Sequence, residues 1–202
     1  QFDYKFHGFE DLRFNLNLGI DYASSGGYNS TPIGSEQSYH STDQNGSGYR
    51  SDYEYKRMDK TLEAYFAYNK DFTGGHHFDA MAGYSWQHFL SESYSKSYRL
   101  KDQSVIGEYP GAGELFLVSF FGRVNYTYDN RYMLTATVRR DGTSRFQNNK
   151  WGLFPSVAFG WNIANEDFLK DNETLTTFKL RASWGQTGQQ GVGGYYDSMS
   201  IF

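Results

Sequence analysis

Cysteine is absent from the 202 residues, which excludes disulfide frameworks and thiolate metal sites. A basic excess is absent too: 19 Lys and Arg stand against 23 Asp and Glu, a formal net charge of −4. No nucleic-acid partner is therefore expected. Long hydrophobic runs are also missing, since the longest, residues 64–68, falls far short of the ~20 residues of a membrane-spanning helix. What the chain has is 19% aromatic residues and 22 Gly against only 3 Pro, a β-rich composition.

Alternation of apolar and polar residues predicts strands. From Leu12 to Tyr22 the two kinds alternate without exception, which is the period of a strand rather than of a helix. The same period recurs along the chain. It predicts about seven strands, at residues 12–22, 62–69, 78–87, 118–128, 132–139, 156–163 and 178–184.

The connections between these strands are alternately long and short. Residues 24–55 and 91–114 are predicted to be long polar loops, whereas residues 70–76 and Asp129-Asn130 are predicted to be tight turns. Residues 164–177 are of middling length, and Asn165 followed by two acidic residues predicts a short helix there, with Asn165 as its N-cap.

Strands of this length, joined by alternating short turns and long loops, are typical of an outer-membrane β-barrel. In such a barrel one face of each strand meets lipid and the other a polar lumen, so a mean hydropathy of −0.72 is no objection. The fold expected is therefore an all-β, antiparallel transmembrane β-barrel in the outer membrane of a Gram-negative bacterium. A soluble barrel with its apolar face inside remains open, because alternation does not tell which face points inward.

Aromatic residues lie near both ends of the predicted strands, as two interfacial girdles would. The alternative is that strands are rich in aromatic residues anyway. Near the short-turn ends lie Tyr68, Phe72, Phe78, Tyr126, Tyr128, Tyr132, Phe168 and Phe178; near the long-loop ends lie Tyr22, Trp86, Phe120, Phe154 and Trp184.

A charged segment joins the strands at 132–139 and 156–163. Asp141-Gly142 is a turn signal, which predicts a hairpin with its charged residues at the top. Arg139 is expected on the lumen face, where a guanidinium can pair with carboxylates or carbonyls instead of meeting hydrocarbon.

The stretch "YMLTATVRRDGTSRFQNNKWGLFPSVAFGW", with "FKLRASWGQTGQQGVGGYY" after it, resembles the SusC/RagA family of TonB-dependent outer-membrane transporters of Bacteroidetes. The resemblance is specific over residues 132–196 and looser over "LEAYFAYNKDFTGGHHFDAMAGYSWQ". It implies a 22-stranded barrel with an N-terminal plug, a SusD-like surface lipoprotein as partner and the TonB complex as energy source. The hairpin residues that carry it are Arg139, Arg140, Asp141, Gly142, Arg145, Phe146, Trp151 and Pro155.

Seven or eight strands cannot close a barrel of that size, and open sheet edges are not tolerated in lipid. Residues 1–202 are therefore expected to be an internal part of a β-barrel domain, with the plug domain and signal peptide absent. The end "YYDSMSIF" fits truncation, because Ser198 and Ser200 stand where a closing strand should be apolar.

No catalytic, metal or cofactor site is expected, and the chain is not expected to be an enzyme. His76-His77 would point to opposite faces of a strand, which disfavours a shared metal. Residues 185–194, "GQTGQQGVGG", lack the Lys-Ser/Thr of a P-loop and indicate an external loop.

Tyrosines among Ser, Asn, Asp and Gln in the predicted loops are candidates for binding an oligosaccharide or a peptide, because their rings stack while polar neighbours form hydrogen bonds. Packing of these rings against each other or a partner lid is an equal alternative. The candidates are Tyr28, Tyr39, Tyr49, Tyr53, Tyr94, Tyr98 and Tyr109.

Two functions follow. The first is a segment of a TonB-dependent nutrient importer, which takes up oligosaccharides or peptides with a SusD-like lipoprotein. The second is a self-contained small barrel that acts as a binding module or adhesin.

Overall fold

The computed structural model describes residues 1–40, 45–146, 148–169 and 175–188. Eight strands form one antiparallel sheet in chain order, which confirms the all-β class. They are β1 (Phe2–Lys5), β2 (Leu12–Thr31), β3 (Tyr49–Phe72), β4 (His76–Arg99), β5 (Val105–Tyr128), β6 (Tyr132–Thr143), β7 (Trp151–Asn162) and β8 (Lys179–Gly185). The helical elements are α1 (Glu36–His40) and one 3₁₀ turn, Ile163–Asn165. Among the residues described, none of the helices is long and apolar enough to cross a membrane.

The described chain forms two compact units. Unit 1 contains Gln1–Gly19, Thr61–Gln87 and the described residues from Phe116 on, and unit 2 contains Ile20–Lys60 and His88–Leu115. Strands β2 to β5 contribute residues to both units, whereas β1, β6, β7 and β8 belong to unit 1 alone.

The strand register in unit 1 places apolar side chains opposite apolar ones and polar side chains opposite polar ones. Val124 on β5 is opposite Ala136 on β6, Ala136 is opposite Val157 on β7, and Val157 is opposite Trp184 on β8. One position along, Arg123 is opposite Thr137 and Thr137 is opposite Ser156. Because successive side chains point to opposite faces, the sheet has one apolar and one polar face.

The two turns predicted to be tight are confirmed. Residues 73–75 connect β3 to β4. Gly74 and Gly75 have backbone φ angles of 87° and 80°, which residues with a Cβ rarely adopt. Residues 129–131 connect β5 to β6, and Asp129 and Asn130 have φ of 51° and 52°. These residue types tolerate positive φ best after glycine, so the local sequence fits the turn geometry.

The prediction of long loops is wrong for most of residues 91–114 and for both ends of residues 24–55. Residues 24–31 belong to β2, residues 49–55 to β3, residues 91–99 to β4 and residues 105–114 to β5. Residues 100–104 connect β4 to β5, and the described residues between β2 and β3 are 32–40 and 45–48. The physical reason is that these segments are largely polar on both faces and so lack the alternation of apolar with polar residues that was used to predict strands. The hydrogen bonds between the strands are made by backbone groups, which every residue has.

Two predictions about local signals are also wrong. Asp141 and Gly142 are not the turn but the end of β6, paired with Gly152 and Trp151 of β7. Asn165 does not cap a helix but ends the 3₁₀ turn, whose N-cap is Asn162. The expected chain-end features at 195–202, and residues 189–194 of the expected external loop, lie outside the described residues.

Candidate functional site

The apolar face of unit 1 is open to its surroundings. Leu134, Val138, Val157, Phe159 and Leu180 are 42% to 52% exposed although their strands are paired. An aqueous protein would bury such a continuous apolar surface, because each fully buried side chain of this kind contributes about 1.5–3 kcal/mol. A face of this kind is suited to a hydrocarbon environment.

Aromatic rings form a row across the strands at each end of this face. At the short-turn end Tyr132 stacks between Tyr128 and Trp161, with ring centroids 6.4 and 6.3 Å apart. At the other end Phe120 lies between Tyr84 and Trp151, at 5.3 and 6.1 Å. We call these the lower and the upper aromatic row.

The distance between the two rows fits a membrane. Tyr128 and Phe120 are eight residues apart on β5, which is about 26 Å along the strand. Strands of a membrane barrel are tilted by about 35–45°, so this length rises roughly 19–22 Å along the membrane normal, close to the apolar band of about 25 Å. Of the predicted girdle residues, Tyr128, Tyr132 and Phe120 lie in these rows. Trp184 and Phe154 lie elsewhere: Trp184 is opposite Val157 in mid-strand, and Phe154 is opposite Arg139 on the polar face.

Glu166 fixes the lower aromatic row to the segment after β7. Its buried carboxylate accepts hydrogen bonds from Tyr132 Oη at 2.7 Å and Trp161 Nε1 at 2.8 Å, and Arg131 Nη1 lies 3.3 Å away. The Tyr132 hydroxyl, the Trp161 indole and the Arg131 guanidinium, in that order, lower the pKa of Glu166 below its ordinary 4.5. From the sequence alone, Glu166 is explained only as an acidic residue in the first turn of a short helix. Its hydrogen bonds with ring donors on two strands depend on the fold.

The opposite face of unit 1 carries a hydrogen-bond network. Asn125 Nδ2 donates to Asp79 Oδ1 at 2.7 Å, and Thr135 Oγ1 donates to Asn125 Oδ1 at 2.9 Å. Asn17 Nδ2 donates to Glu63 Oε2 at 3.2 Å. Polar groups on this face are therefore satisfied without reaching the apolar face, as they are in the lumen of a barrel wall.

The charged hairpin divides its two arginines between the faces. Arg139 Nε donates to Asp141 Oδ1 at 2.6 Å and Arg139 Nη2 to Ser119 Oγ at 2.9 Å, so its predicted position on the polar face is observed. Arg140 lies on the apolar face, with its guanidinium carbon 5.1 Å from the centre of the Trp151 ring.

The remaining hairpin residues have other neighbours. Gly142 is buried against Trp151, where a Cβ would lie 2.9 Å from Cε3. Pro155 is opposite Val138. Arg145 lies in the turn after β6, and Phe146 follows it and lines a small cavity of about 120 Å³ on the polar side, together with Phe154.

The candidate tyrosines of unit 2 lie on strands, not in loops, except Tyr39, which lies in α1 against Gly46. Tyr49, Tyr53 and Tyr109 occupy odd-numbered positions of β3 and β5, and a Cβ at Gly27 would lie 2.7 Å from Tyr53 Oη. We call this the odd face. Serine hydroxyls share it: Ser51 Oγ is 3.2 Å from Ser95 Oγ and 2.9 Å from Ser97 Oγ.

The other three tyrosines occupy even-numbered positions among paired charges, on what we call the even face. Arg50 lies 4.1 Å from the centre of the Tyr28 ring and bonds Asp52 Oδ1 at 2.8 Å. Tyr98 Oη donates to Asp52 Oδ2 at 3.2 Å. Tyr94 is 40% exposed on the same side as the ion pair of Lys96 with Glu108.

The adjacent histidines His76 and His77 have separate partners. They begin β4 rather than lying in the turn, and His76 Nδ1 is 2.7 Å from Tyr126 Oη, while His77 Nδ1 is 2.6 Å from Asp71 Oδ1. Within the described ranges, no three His, Asp or Glu side chains cluster in a way that could hold a metal ion.

A family model described as "TonB dependent receptor-like, beta-barrel" matches residues 1–200. The chain belongs to this family. A relative within it, the TonB-dependent receptor SusC of Bacteroides thetaiotaomicron, is 38% identical over 99% of this chain and 20% of its own length. The TonB-dependent receptor P3 of Formosa agariphila is 39% identical over 88% of this chain and 19% of its own length. The chain thus spans about one-fifth of the length of these curated relatives.

Solved structures agree on the fold. The structure described as the RagAB peptide transporter has a TM-score of 0.82 at 22% identity, over 95% of this chain and 22% of that chain. The RagAB peptide importer in the "open-open" state gives 0.80 at 23% identity, over 92% and 21%. Together with the SusC match, these structures confirm the SusC/RagA resemblance, and the partial-barrel fold is confirmed with it.

Proposed function

We propose that residues 1–202 form part of the wall of an outer-membrane nutrient importer, driven by TonB and assembled with a SusD-like surface lipoprotein. The observation that carries the proposal is the division of unit 1 into two faces, one apolar and bounded by aromatic rows, the other polar and internally hydrogen-bonded. The wall supplies no covalent chemistry. It separates lipid from a conduit, and the energy comes through the TonB-contacting part.

The test uses the complete protein that contains this segment. We expect it in the outer membrane as a species whose migration on a denaturing gel changes on heating, because a closed barrel resists detergent until heated. Uptake of its ligand should need TonB and the lipoprotein. A soluble product would contradict the membrane assignment and favour the binding module, while membrane-located protein with TonB-independent uptake would contradict the coupling alone.

We further propose that the odd face of unit 2 contacts the ligand, an oligosaccharide or a peptide. Tyr53 and Tyr109 are 43% and 63% exposed there, beside the serine hydroxyls. Exposed rings with hydroxyl groups between them can stack on a sugar or a peptide side chain and bond its polar groups. The rings on the even face lie among paired charges, which leaves fewer free polar groups for a ligand.

Tyr53 and Tyr94 form a matched pair for this proposal, because both lie on strands of unit 2 and are 43% and 40% exposed. Changing Tyr53 to Ala should weaken ligand binding about 5- to 10-fold, the effect of losing roughly 1 kcal/mol of ring contact. Changing Tyr94 to Ala should leave binding within a factor of two. The measurement is a calorimetric titration of the purified transporter with oligosaccharide and peptide pools. Equal losses in the two variants would contradict the assignment to the odd face.

A further inference from the structure

A groove of about 470 Å³ runs along the apolar face of unit 1. Its floor consists of small residues on three neighbouring strands, Ala80 and Ala82 of β4, Gly122 of β5 and Ala136 of β6. Larger apolar side chains border it on both sides. The bordering residues include Phe66, Tyr68, Val124 and Val138.

The groove lies between the two aromatic rows. Gly122 is two residues from Phe120 of the upper row, and Val124 is four residues from Tyr128 of the lower row. In a bilayer this depth holds only hydrocarbon, and an empty groove would forfeit the dispersion contacts of its lining. A linear apolar chain is therefore the occupant that the depth and the shape favour.

One unpaired cation stands at the upper end of the groove. Arg140 follows Val138 by two residues and so points to the same face of β6. In the portion of the chain that the structure describes, no carboxylate lies within ion-pair distance of Arg140, whereas its neighbour Arg139 is paired with Asp141 on the opposite face. The ring of Trp151 supports the guanidinium without neutralising it.

An arginine at the edge of an apolar band is favourable only where its head reaches the membrane interface. The upper aromatic row, with Trp151 in it, places Arg140 at that depth. The guanidinium fork matches phosphate oxygens, so the charge and the groove together fit one molecule with an anionic head and an apolar chain.

We propose that Arg140 and the groove form a binding site for a phosphorylated membrane lipid. The phosphate lies on Arg140 beside Trp151, and one acyl chain lies over Gly122 and Ala136. This inference rests on the proposed membrane location. The acyl chain thereby fills the groove that the small side chains of the sheet leave open.

The test uses the complete transporter, purified in detergent, freed of lipid and titrated in native mass spectrometry. The probes are dimyristoyl phosphatidic acid, dimyristoyl phosphatidylcholine, which has the same chains but a neutral head, and inorganic phosphate, which has no chain. We expect one phosphatidic acid to bind more tightly than the rest, and Arg140→Gln to weaken it about fivefold, the effect of one arginine near an anionic surface. Phosphatidylcholine binding should not change in this variant.

Ala136→Leu fills the groove and should weaken both lipids. Matched controls lie on the polar face of the same sheet: Arg181→Gln removes an exposed arginine on β8, and Ala158→Leu enlarges an alanine on β7, and neither should change lipid binding. Heat-modifiable migration of every variant shows that each is folded.

Three results would overturn the site. Unchanged phosphatidic acid binding in Arg140→Gln would remove the headgroup contact. Full displacement of the lipid by inorganic phosphate, with Ala136→Leu without effect, would leave an anion site without a chain. Transporter dimers that disappear in Ala136→Leu, with no lipid difference, would make the groove a contact between copies. Failure of the importer proposal itself would appear separately, as loss of outer-membrane location or of uptake.

Discussion

The close packing of β4 against its neighbours at Gly83 allows a quantitative test of the sheet. A Cβ at this glycine would meet the Cβ of Tyr65, the carbonyl oxygen of Ala64 at 2.7 Å and Cζ of Phe121 at 2.8 Å. The first two atoms belong to, or are directly bonded to, the backbone of β3, so they cannot move aside without moving the strand. We expect Gly83→Ala to cost about 1–3 kcal/mol, the usual range for overpacking.

Gly122→Ala is the matched control, because Gly122 is also in mid-strand and the nearest atom to its Cβ would be 3.7 Å away. Since alanine lowers the entropy of the unfolded chain, this variant should be neutral or more stable by about 0.4–1 kcal/mol. Barrels unfold slowly, so the measurement is the rate of unfolding of the complete protein in hot detergent. If the strain is relieved in the transition state, Gly83→Ala should unfold roughly 5- to 160-fold faster.

The two variants should also change the unfolding rate in different directions, faster for Gly83→Ala and unchanged or slower for Gly122→Ala. Equal unfolding rates for Gly83→Ala and Gly122→Ala would refute the packing of β4 between β3 and β5 at this point. A slower rate for Gly83→Ala than for the unchanged protein would refute it as well.

Two further predictions concern the lower aromatic row and the β2–β3 connection. Glu166→Gln should speed detergent unfolding at pH 7. Because the pKa of Glu166 in the folded protein is below 4.5, the contribution of its carboxylate to stability is complete above pH 4.5 and is lost as the pH falls through the folded pKa. The difference in unfolding rate from the unchanged protein should therefore shrink in acid. A difference that grew below pH 4.5 would contradict the paired carboxylate. Gly48→Ala should open the β2–β3 connection to protease several-fold faster than Gly34→Ala, because both have positive φ, 62° and 74°, but only at Gly48 would the Cβ meet Thr31 O, at 2.6 Å. Equal cleavage rates would show that backbone conformation alone sets the effect.

The sequence predicts unit 1 well because its strands have two chemically different faces. The start of β2 at Leu12, the end of β5 at Tyr128 and the start of β6 at Tyr132 all coincide with limits of the alternating pattern. Shifting the pairing of such a strand by one residue would move every side chain to the opposite face of the sheet. The alternating sequence pattern therefore determines the register of these strands.

Unit 2 is poorly predicted because its strands are polar on both faces. In "SESYSKSYR" serine alternates with Glu, Tyr and Lys, so the period of two is present but no apolar face accompanies it. The hydrogen bonds of the strand depend on backbone groups that every residue has. The division of the tyrosines between the odd and the even face follows only once those residues are known to be in strands. The turn signal at Asp141-Gly142 failed for a similar reason, because pairing with β7 continues past it.

The regular alternation of unit 1 also constrains how such a wall can change in length. Inserting one residue in the middle of β6, between Leu134 and Val138, would carry the following residues to the wrong side, so that Arg139 would join the apolar face and Arg140 the polar face. Inserting two residues would restore the sides and merely lengthen the strand. Point substitutions should therefore change the sheet locally, whereas odd-numbered insertions and deletions should be tolerated in the connections, such as residues 100–104, where no face has to be preserved.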